Sequence, residues 1–315
     1  MTPTENNEMK SNTSHPKVAI LGGTGLIGRS LANRLMQENY LPIIVTRNIQ
    51  HVSPQFEAQH WDGKSAGELA NILSGCVAIV NLAGENIASG IWTPKRKQKL
   101  LSSRYDITTN LVSALALLHH KPEVLLQGSA VGFYGTHAND ADEQTSAGKG
   151  FLAELTVLWE SAAYNAERLG IRTVYLRTGI VLAQAGGAFP KMLIPFKLFL
   201  GGNMGSGKRV IPWIHLDDEV NAIVFLLKSD NAKGAFNLVA PDKTTQQELN
   251  QLLAKQLHRP KWLPIPSFLF RLLPGSMGQE IFLADQHIKP TALRQLGYKF
   301  KYEKVGNALK DLILG

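Results

Sequence analysis

The sequence predicts an α/β fold built on a doubly wound, parallel sheet, and three observations predict it. The apolar run Val18-Ala19-Ile20-Leu21 runs into a glycine turn, Gly22-Gly23-Thr24-Gly25-Leu26-Ile27-Gly28, which opens an amphipathic stretch with Leu31, Leu35 and Met36. Strand-like and helix-like segments then alternate as far as Leu176, as in repeated strand-helix-strand units. One strand segment, Val77 to Leu82, is almost continuously apolar, which suits a parallel strand covered by helices on both faces.

The elements follow in order. A β-rich segment spans Leu41 to Thr46, and a shorter one Glu57 to Trp61. A helical stretch leads to the strand at Val77 to Leu82. The long helix that follows has Thr93 as N-cap, Pro94 as first helical residue, and an end near Leu118. A strand at Glu123 to Gln127, a helix from about Gly150 to Leu169 and a strand at Ile171 to Leu176 complete the alternation. Beyond Gly179 the texture changes, with glycine pairs at Gly186-Gly187 and Gly201-Gly202, more glycine from Gly205 to Gly207, and Pro260, Pro264, Pro266 and Pro274. Val220 to Leu227 again has helical spacing, and Ala235 to Val239 reads as a further sheet strand. The expected organisation is a disordered tail over 1–15, a sheet domain over 16–182, and a smaller α/β lobe with a C-terminal extension over 183–315. Within the last, 210–240 returns to the sheet. The apolar cluster Phe268-Leu269-Phe270 with Leu272-Leu273 fits core packing at helical spacing, or else a partner or membrane contact.

A chain of 315 residues can bury a large core, and no apolar run approaches the roughly 18 residues that span a bilayer. The first fifteen residues are polar, unlike a secretory signal, and Cys76 is the lone cysteine, so no intrachain disulfide can form. A reducing cytoplasm is the expected compartment. The net charge of +8 favours anionic partners. Its densest cluster, Lys95, Arg96, Lys97 and Lys99, reads as a solvated helix face with no nucleic-acid-binding signature beside it. The expected partner is therefore a small molecule, anionic among the candidates, with no nucleic acid, no membrane, no metal, and a monomer or homodimer as the unit.

A glycine turn between a strand and a helix brings backbone amides close to a pyrophosphate and aims a helix N-terminus at it, so a dinucleotide is the expected ligand. The strand Ile43-Ile44-Val45 ends in Thr46-Arg47-Asn48, without the carboxylate that would bond an adenosine ribose. Arg47 suits a 2′-phosphate, so NADP(H) is expected over NAD(H), unless Arg47 is merely exposed. Asp62 is placed to approach the adenine, and Leu82, Ala83 and Gly84 the ribose and diphosphate. Gly202 to Lys208 mimics a triphosphate-binding loop, but Arg209 stands where the Mg²⁺-binding serine or threonine belongs.

The turn Gly22 to Gly28, Asn81-Leu82-Ala83-Gly84 and Trp213-Ile214-His215-Leu216-Asp217-Asp218 together resemble the extended short-chain dehydrogenase/reductase superfamily. Within it the chain is similar to an atypical epimerase-like family, of NAD-dependent epimerase/dehydratase type, through Asn81 to Glu85, Ser129 to Gly135, Leu176 to Leu182, Lys289-Pro290 and Leu296 to Phe300. The likeness covers about residues 17 to 313. It implies a Rossmann-type NADP-binding domain with a small substrate lobe, and an oxidoreductase acting on a carbonyl or alcohol. It also implies a Tyr-x-x-x-Lys acid/base pair about 25 residues after a serine, yet counting from Ser129 reaches Glu154 and Leu158. Tyr164 with Arg168 lies about ten residues late and reads as an exposed pair.

The residues left to do chemistry are Ser129, at the end of its strand, and Arg104, which replaces the family's usual asparagine. Ser129 either bonds a substrate oxygen or caps its loop; Arg104 either holds an anion or cofactor oxygen near the nicotinamide or forms an ion pair, with Glu85 the obvious partner. By analogy Gly179 and Ile180 flank the nicotinamide, Glu85 and Tyr134 line the pocket, and Lys208 and Arg209 meet an anionic substrate across the cleft. His215 reads as a packed element of the fold or a proton donor. The rival expectation is a catalytically idle NADP-binding sensor or interaction protein.

Overall fold

The computed structural model describes residues 15–264, 266, 268 and 276–314; the expected tail up to residue 14 and Leu269, Phe270, Leu272 and Leu273 lie outside the described residues. The first half supplies strands β1 (Lys17–Leu21), β2 (Leu41–Thr46), β3 (Glu57–His60), β4 (Cys76–Asn81) and β5 (Val124–Ala130), and helices α1 (Leu26–Gln37), α2 (Ala66–Leu73) and α3 (Pro94–Leu117). The rest supplies β6 (His137–Ala141), α4 (Phe151–Tyr164), β7 (Arg172–Thr178), β8 (Ile180–Ala183), β9 (Gly186–Gly187), α5 (Phe189–Lys197), β10 (Trp213–His215), α6 (Leu216–Lys228), β11 (Gly234–Leu238), α7 (Gln246–Leu257), β12 (Asp285–Ile288), α8 (Thr291–Gln295) and α9 (Val305–Leu314).

Seven strands form one parallel sheet in the order β3-β2-β1-β4-β5-β7-β11. Alternate residues of each strand face opposite layers, which is why the strands are apolar throughout. Val18, Ile20, Ile44, Val80 and Leu126 pack on α1 and α6 through Leu31, Leu35, Ile223 and Leu227. Ala19, Leu21, Ile43, Ile79 and Leu125 pack on α2, α3 and α4 through Leu69, Leu73, Leu111, Leu115 and Ala163. The sheet is doubly wound, and the strand order reverses between β1 and β4, where ligands of such sheets bind.

β5 and β7 run to Ala130 and Thr178, past the expected Gln127 and Leu176, because Ser129 and Arg177 still pair in register across them. The helix expected to reach Leu169 ends at Tyr164, and a separate 3₁₀ turn at Glu167–Leu169 leads to Gly170 in the left-handed region, where the chain reverses into β7. β6 escaped the sequence reading because His-Ala-Asn-Asp-Ala has no apolar alternation; it is held instead by parallel pairing with β12.

Beside the sheet, the three strands β10-β8-β9 and helices α5, α7 and α9 enclose a second core around Phe189, Trp213, Leu253 and Leu309. The C-terminal extension returns to the main sheet domain at defined points. Buried Asp218 accepts the Lys301 and Tyr302 amides at 2.7 and 2.8 Å. Glu280 accepts the Phe151 and Leu152 amides at 3.2 and 2.7 Å, capping α4, whose own N-cap, Gly150, has no side chain to do so. Glu280→Ala is expected to cost about 1 kcal/mol, read as a fall of about 2 °C in thermal midpoint that Glu280→Gln partly restores.

Candidate functional site

The glycine turn is built by contacts that exclude side chains. Gly22 has φ +78°, and a Cβ there would lie 2.7 Å from the Leu82 carbonyl carbon and 2.8 Å from the Ala83 nitrogen. One at Gly28 would lie 2.6 Å from the Gly22 oxygen and 2.6 Å from Gly23 Cα. The Gly25 amide donates to the Gly22 carbonyl at 3.0 Å, and α1 then begins with no side-chain cap and no acidic residue in its first turn. The Leu26, Ile27 and Gly28 amides therefore remain open to an anion. Half-buried Thr24 sits in the same turn, and the Leu26 side chain packs against Gly186 and Gly187, so the β8-β9 hairpin lies over it.

Thr46 pairs with His60 in register, which sets Arg47 and Asp62 just beyond neighbouring strand ends. Both are exposed, and Arg47 pairs with no carboxylate among the described residues. Asp62 accepts the Lys64 amide at 2.8 Å. At the end of β4, buried Asn81 donates to Thr108 Oγ1 and Gln127 Oε1 and accepts the Ala83 amide at 3.2 Å, which fixes the path of Leu82 and Ala83 beside Gly22.

Arg104 lies against Gly84, where a Cβ would meet its Cζ at 3.0 Å, and its guanidinium covers Trp159 at 5.0 Å from the ring centroid. It donates only to the Leu100 carbonyl at 3.3 Å and Ser103 Oγ at 3.4 Å, and it forms no ion pair among the described residues. Burial pushes its pKa down to about 10, more than the nearness of Glu85 restores, so it stays cationic at neutral pH. The ion pair between Arg104 and Glu85 does not form. Glu85 instead pairs with Arg96 at 3.1 Å and Lys99 at 3.2 Å, three residues apart on the same face of α3. Burial opposes its ionisation, but those hydrogen bonds outweigh it and hold the carboxyl below its usual range.

Ser129 and Tyr134 belong to one buried network. Ser129 Oγ donates to Glu160 at 2.6 Å, and Arg177 grips the same carboxylate through Nε at 2.8 Å and Nη2 at 2.9 Å. The Tyr134 hydroxyl accepts from Arg177 at 3.0 Å and donates to Asn237 Oδ1 at 2.8 Å. Burial raises the Tyr134 pKa, against the pull of Arg177, so the phenol stays protonated. At the expected acid/base positions Glu154 and Leu158 are exposed, while Tyr164 is exposed under Arg168, 5.9 Å from its ring.

The Gly179 and Ile180 amides are used by the Leu238 and Pro212 carbonyls at 3.0 and 2.7 Å, so what these residues offer a ligand is their surface. Exposed Lys208 and half-buried Arg209 end a loop tied to α7, with Arg209 donating to the Met204 carbonyl at 2.7 Å. No helix follows that loop, which leads to β10. His215 is buried, accepts the Asp217 amide at 3.1 Å as the N-cap of α6 and packs on Tyr302; burial lowers its pKa and it serves the fold. Glu219, fully buried, accepts from Thr178 at 2.7 Å while its second oxygen has no partner, and burial raises it to about 8. Sequence reading missed Glu160, Arg177 and Glu219, although a lone charge in an apolar segment, as in Tyr175-Leu176-Arg177, announces a buried partner. Among the described residues no group of three or more His, Cys, Asp or Glu could hold a metal ion.

The parallel sheet, the glycine turn at its switch point and the small lobe over its C-terminal edge define a Rossmann-type protein of the short-chain dehydrogenase/reductase class. The chain belongs to the NAD dependent epimerase/dehydratase family, whose model matches residues 18–238; a domain of unknown function, DUF1731, matches residues 265–312. The chloroplastic SDR39U1 homolog of Arabidopsis thaliana, an epimerase family protein, is 36% identical over 306 residues, covering 95% of this chain and 87% of the relative. An epimerase family protein of Mycobacterium tuberculosis is 37% identical over 293 residues, covering 93% and 96%. The structure of human epimerase family protein SDR39U1 (isoform 2) with NADPH superposes with a TM-score of 0.85 at 31% identity, covering 95% and 99%. A nucleoside-diphosphate sugar epimerase from Corynebacterium glutamicum gives 0.77 at 28%, covering 96% of this chain and 59% of that one.

Proposed function

We propose that the chain is an oxidoreductase that binds NADP(H) along the C-terminal edge of the sheet and acts on a carbonyl or alcohol of a small anionic molecule. Bound NADP(H) supplies or accepts the hydride. The residues that would hold it are Gly22, Thr24, Gly25, Leu26, Ile27 and Gly28 at the diphosphate, Arg47 at the 2′-phosphate, Asp62 at the adenine, Leu82, Ala83 and Gly84 along the ribose, and Gly179 and Ile180 beside the nicotinamide. The fit rests on open helix amides above a turn that admits no Cβ. NADPH in the human relative supports the phosphorylated cofactor, whereas other neighbours, near 15% identity, bind NAD.

The observation that carries the catalytic half is Arg104, a half-buried cation beside Gly84 with no carboxylate partner among the described residues. A partly desolvated charge left without a carboxylate is costly, so an anion bound there gains more than it would on a fully exposed cation. Arg104 would orient a substrate carboxylate, phosphate or developing oxyanion, with Glu85, Tyr134, Lys208 and Arg209 as the other candidate substrate contacts. Ser129, whose proton is engaged by Glu160, offers its lone pairs as an acceptor for a substrate hydroxyl.

A second reading, an idle NADP-binding sensor, draws support from the same network, since the Ser129 and Tyr134 hydroxyls are both committed and no Tyr-Lys pair lies on α4. A turnover screen across sugars, aldehydes, ketones and acyl thioesters with NADPH separates the two. Arg104→Ala is expected to lower turnover by about 100-fold while NADPH affinity changes by less than about threefold. No turnover on any compound, together with a stable partner complex, would favour the sensor. Arg47→Asp is expected to reverse the preference between NADPH and NADH in titration calorimetry; unchanged discrimination would remove the NADP assignment.

A further inference from the structure

We propose that the end of α5 and the loop it packs against form a docking surface for an anionic lipid bilayer. Ile194, Leu198, Phe199 and Leu200 leave the last turn of α5 exposed, and Trp262 and Leu263 stand exposed beside them, with Leu198 at 61% and Trp262 at 64%. The two segments are one surface. The Trp262 indole donates to the Phe199 carbonyl at 3.0 Å, the Trp262 and Leu263 amides donate to the Gly201 carbonyl, and the Arg259 guanidinium lies 4.6 Å from the Phe199 ring centroid. Phe199 has φ +62°, a left-handed backbone that is costly for a bulky aromatic residue, yet its ring is turned to solvent and not into a core.

Charge names the occupant. No Asp or Glu occurs from Arg168 to Leu216 or from Leu249 to Gln279, stretches that hold eleven of the 33 Lys and Arg residues. Lys197 next to Leu198, Arg259 on the Phe199 ring and Lys261, bridged to Gly201, flank the apolar side chains, and none of the three pairs with a carboxylate among the described residues. Apolar and aromatic side chains that stand proud of the surface, inside a basic rim, suit a fluid anionic layer that needs no complementary pocket. Each rim cation adds roughly fivefold to the partition onto such a layer. No described helix is long and apolar enough to cross a membrane, and a docking surface needs none. The patch stands apart from the glycine turn, because α5 starts next to Gly187, which packs on Leu26, and carries the patch about 13 Å further along its axis.

The test is flotation of the full-length protein with vesicles of phosphatidylcholine alone or with about 30% phosphatidylglycerol. The expected result is saturable binding to the anionic vesicles, lost at high salt and at least about tenfold weaker on the neutral ones. Phe199→Gly, which removes the ring while relieving the left-handed backbone, is expected to cut binding about tenfold, and the pair Lys197→Glu with Lys261→Glu by at least about 25-fold, both with thermal midpoint unchanged. No binding to anionic vesicles, or binding that both variants retain, overturns the proposal. A dimer that Phe199→Gly dissociates, with no vesicle binding, overturns it in favour of a second copy, and capture of an acidic protein without vesicle binding overturns it likewise.

Discussion

Gly28→Ala is expected to weaken NADPH binding by about 100-fold while leaving a folded protein. The added methyl would sit 2.6 Å from the Gly22 carbonyl oxygen and 2.6 Å from Gly23 Cα. Both are backbone atoms, so no side-chain rotamer can relieve the contact, and α1 must move off the turn whose amides would meet the diphosphate. Overpacking of this kind costs about 1–3 kcal/mol, of which alanine's better helix propensity recovers up to about 1. The fold survives, but the alignment of three amides with one ligand does not. Gly67→Ala in α2 is the control, since a Cβ there meets nothing within 4 Å: binding should stay unchanged and the thermal midpoint rise slightly. Calorimetric titration of both variants with NADPH checks the contrast; equal affinities would show that the turn is not where the ligand binds.

Glu219→Gln is expected to make the protein more stable than wild type in alkaline buffer and not in acid. Desolvation raises the folded-state pKa of Glu219 from 4.5 to about 8, with only the Thr178 hydroxyl opposing it. The sign follows from which state binds the proton. Below pH 4.5 both folded and unfolded chains hold it; between 4.5 and about 8 the unfolded chain releases it while the folded one keeps it, so stability falls as pH rises. Above about 8 both are ionised and the loss is complete, on the order of 5 kcal/mol. Glutamine cannot ionise, so its curve lacks this fall. Urea unfolding of both proteins at about pH 5 and about pH 9 tests it, with the stability order reversing between them. A constant difference at the two pH values would mean that Glu219 is already ionised in its buried position.

How far the sequence could be read follows from which interactions are local. The glycine turn, the apolar strands and the Thr93-Pro94 helix start are each written in a few consecutive residues, and the fold class followed from them. Segment ends were less legible because β5 and β7 stop where a pairing partner distant in sequence requires it, and α4 gives way to a 3₁₀ turn before left-handed Gly170. β6 was invisible for the same reason, its partner β12 lying near the other end of the chain. The site divides along this line. Arg104 could be picked out as an odd residue in its motif, but the carboxylate that pairs elsewhere, Glu85 with Arg96 and Lys99, could not. Ser129 and Tyr134 were visible as residues, whereas their tie to Glu160, Arg177 and Asn237 spans up to 103 positions. Glu280 capping α4 across 128 and 129 positions is of the same kind.

The open amides of the Gly22–Gly28 turn and the exposed Arg47 are expected to bind a phosphorylated nicotinamide dinucleotide together. Titration calorimetry of the wild-type protein with NADPH and with NADH checks this expectation. The expected result is saturable 1:1 binding of NADPH, with a Kd on the order of micromolar and at least about tenfold tighter than for NADH. Folded protein that releases no heat with either nucleotide would contradict it.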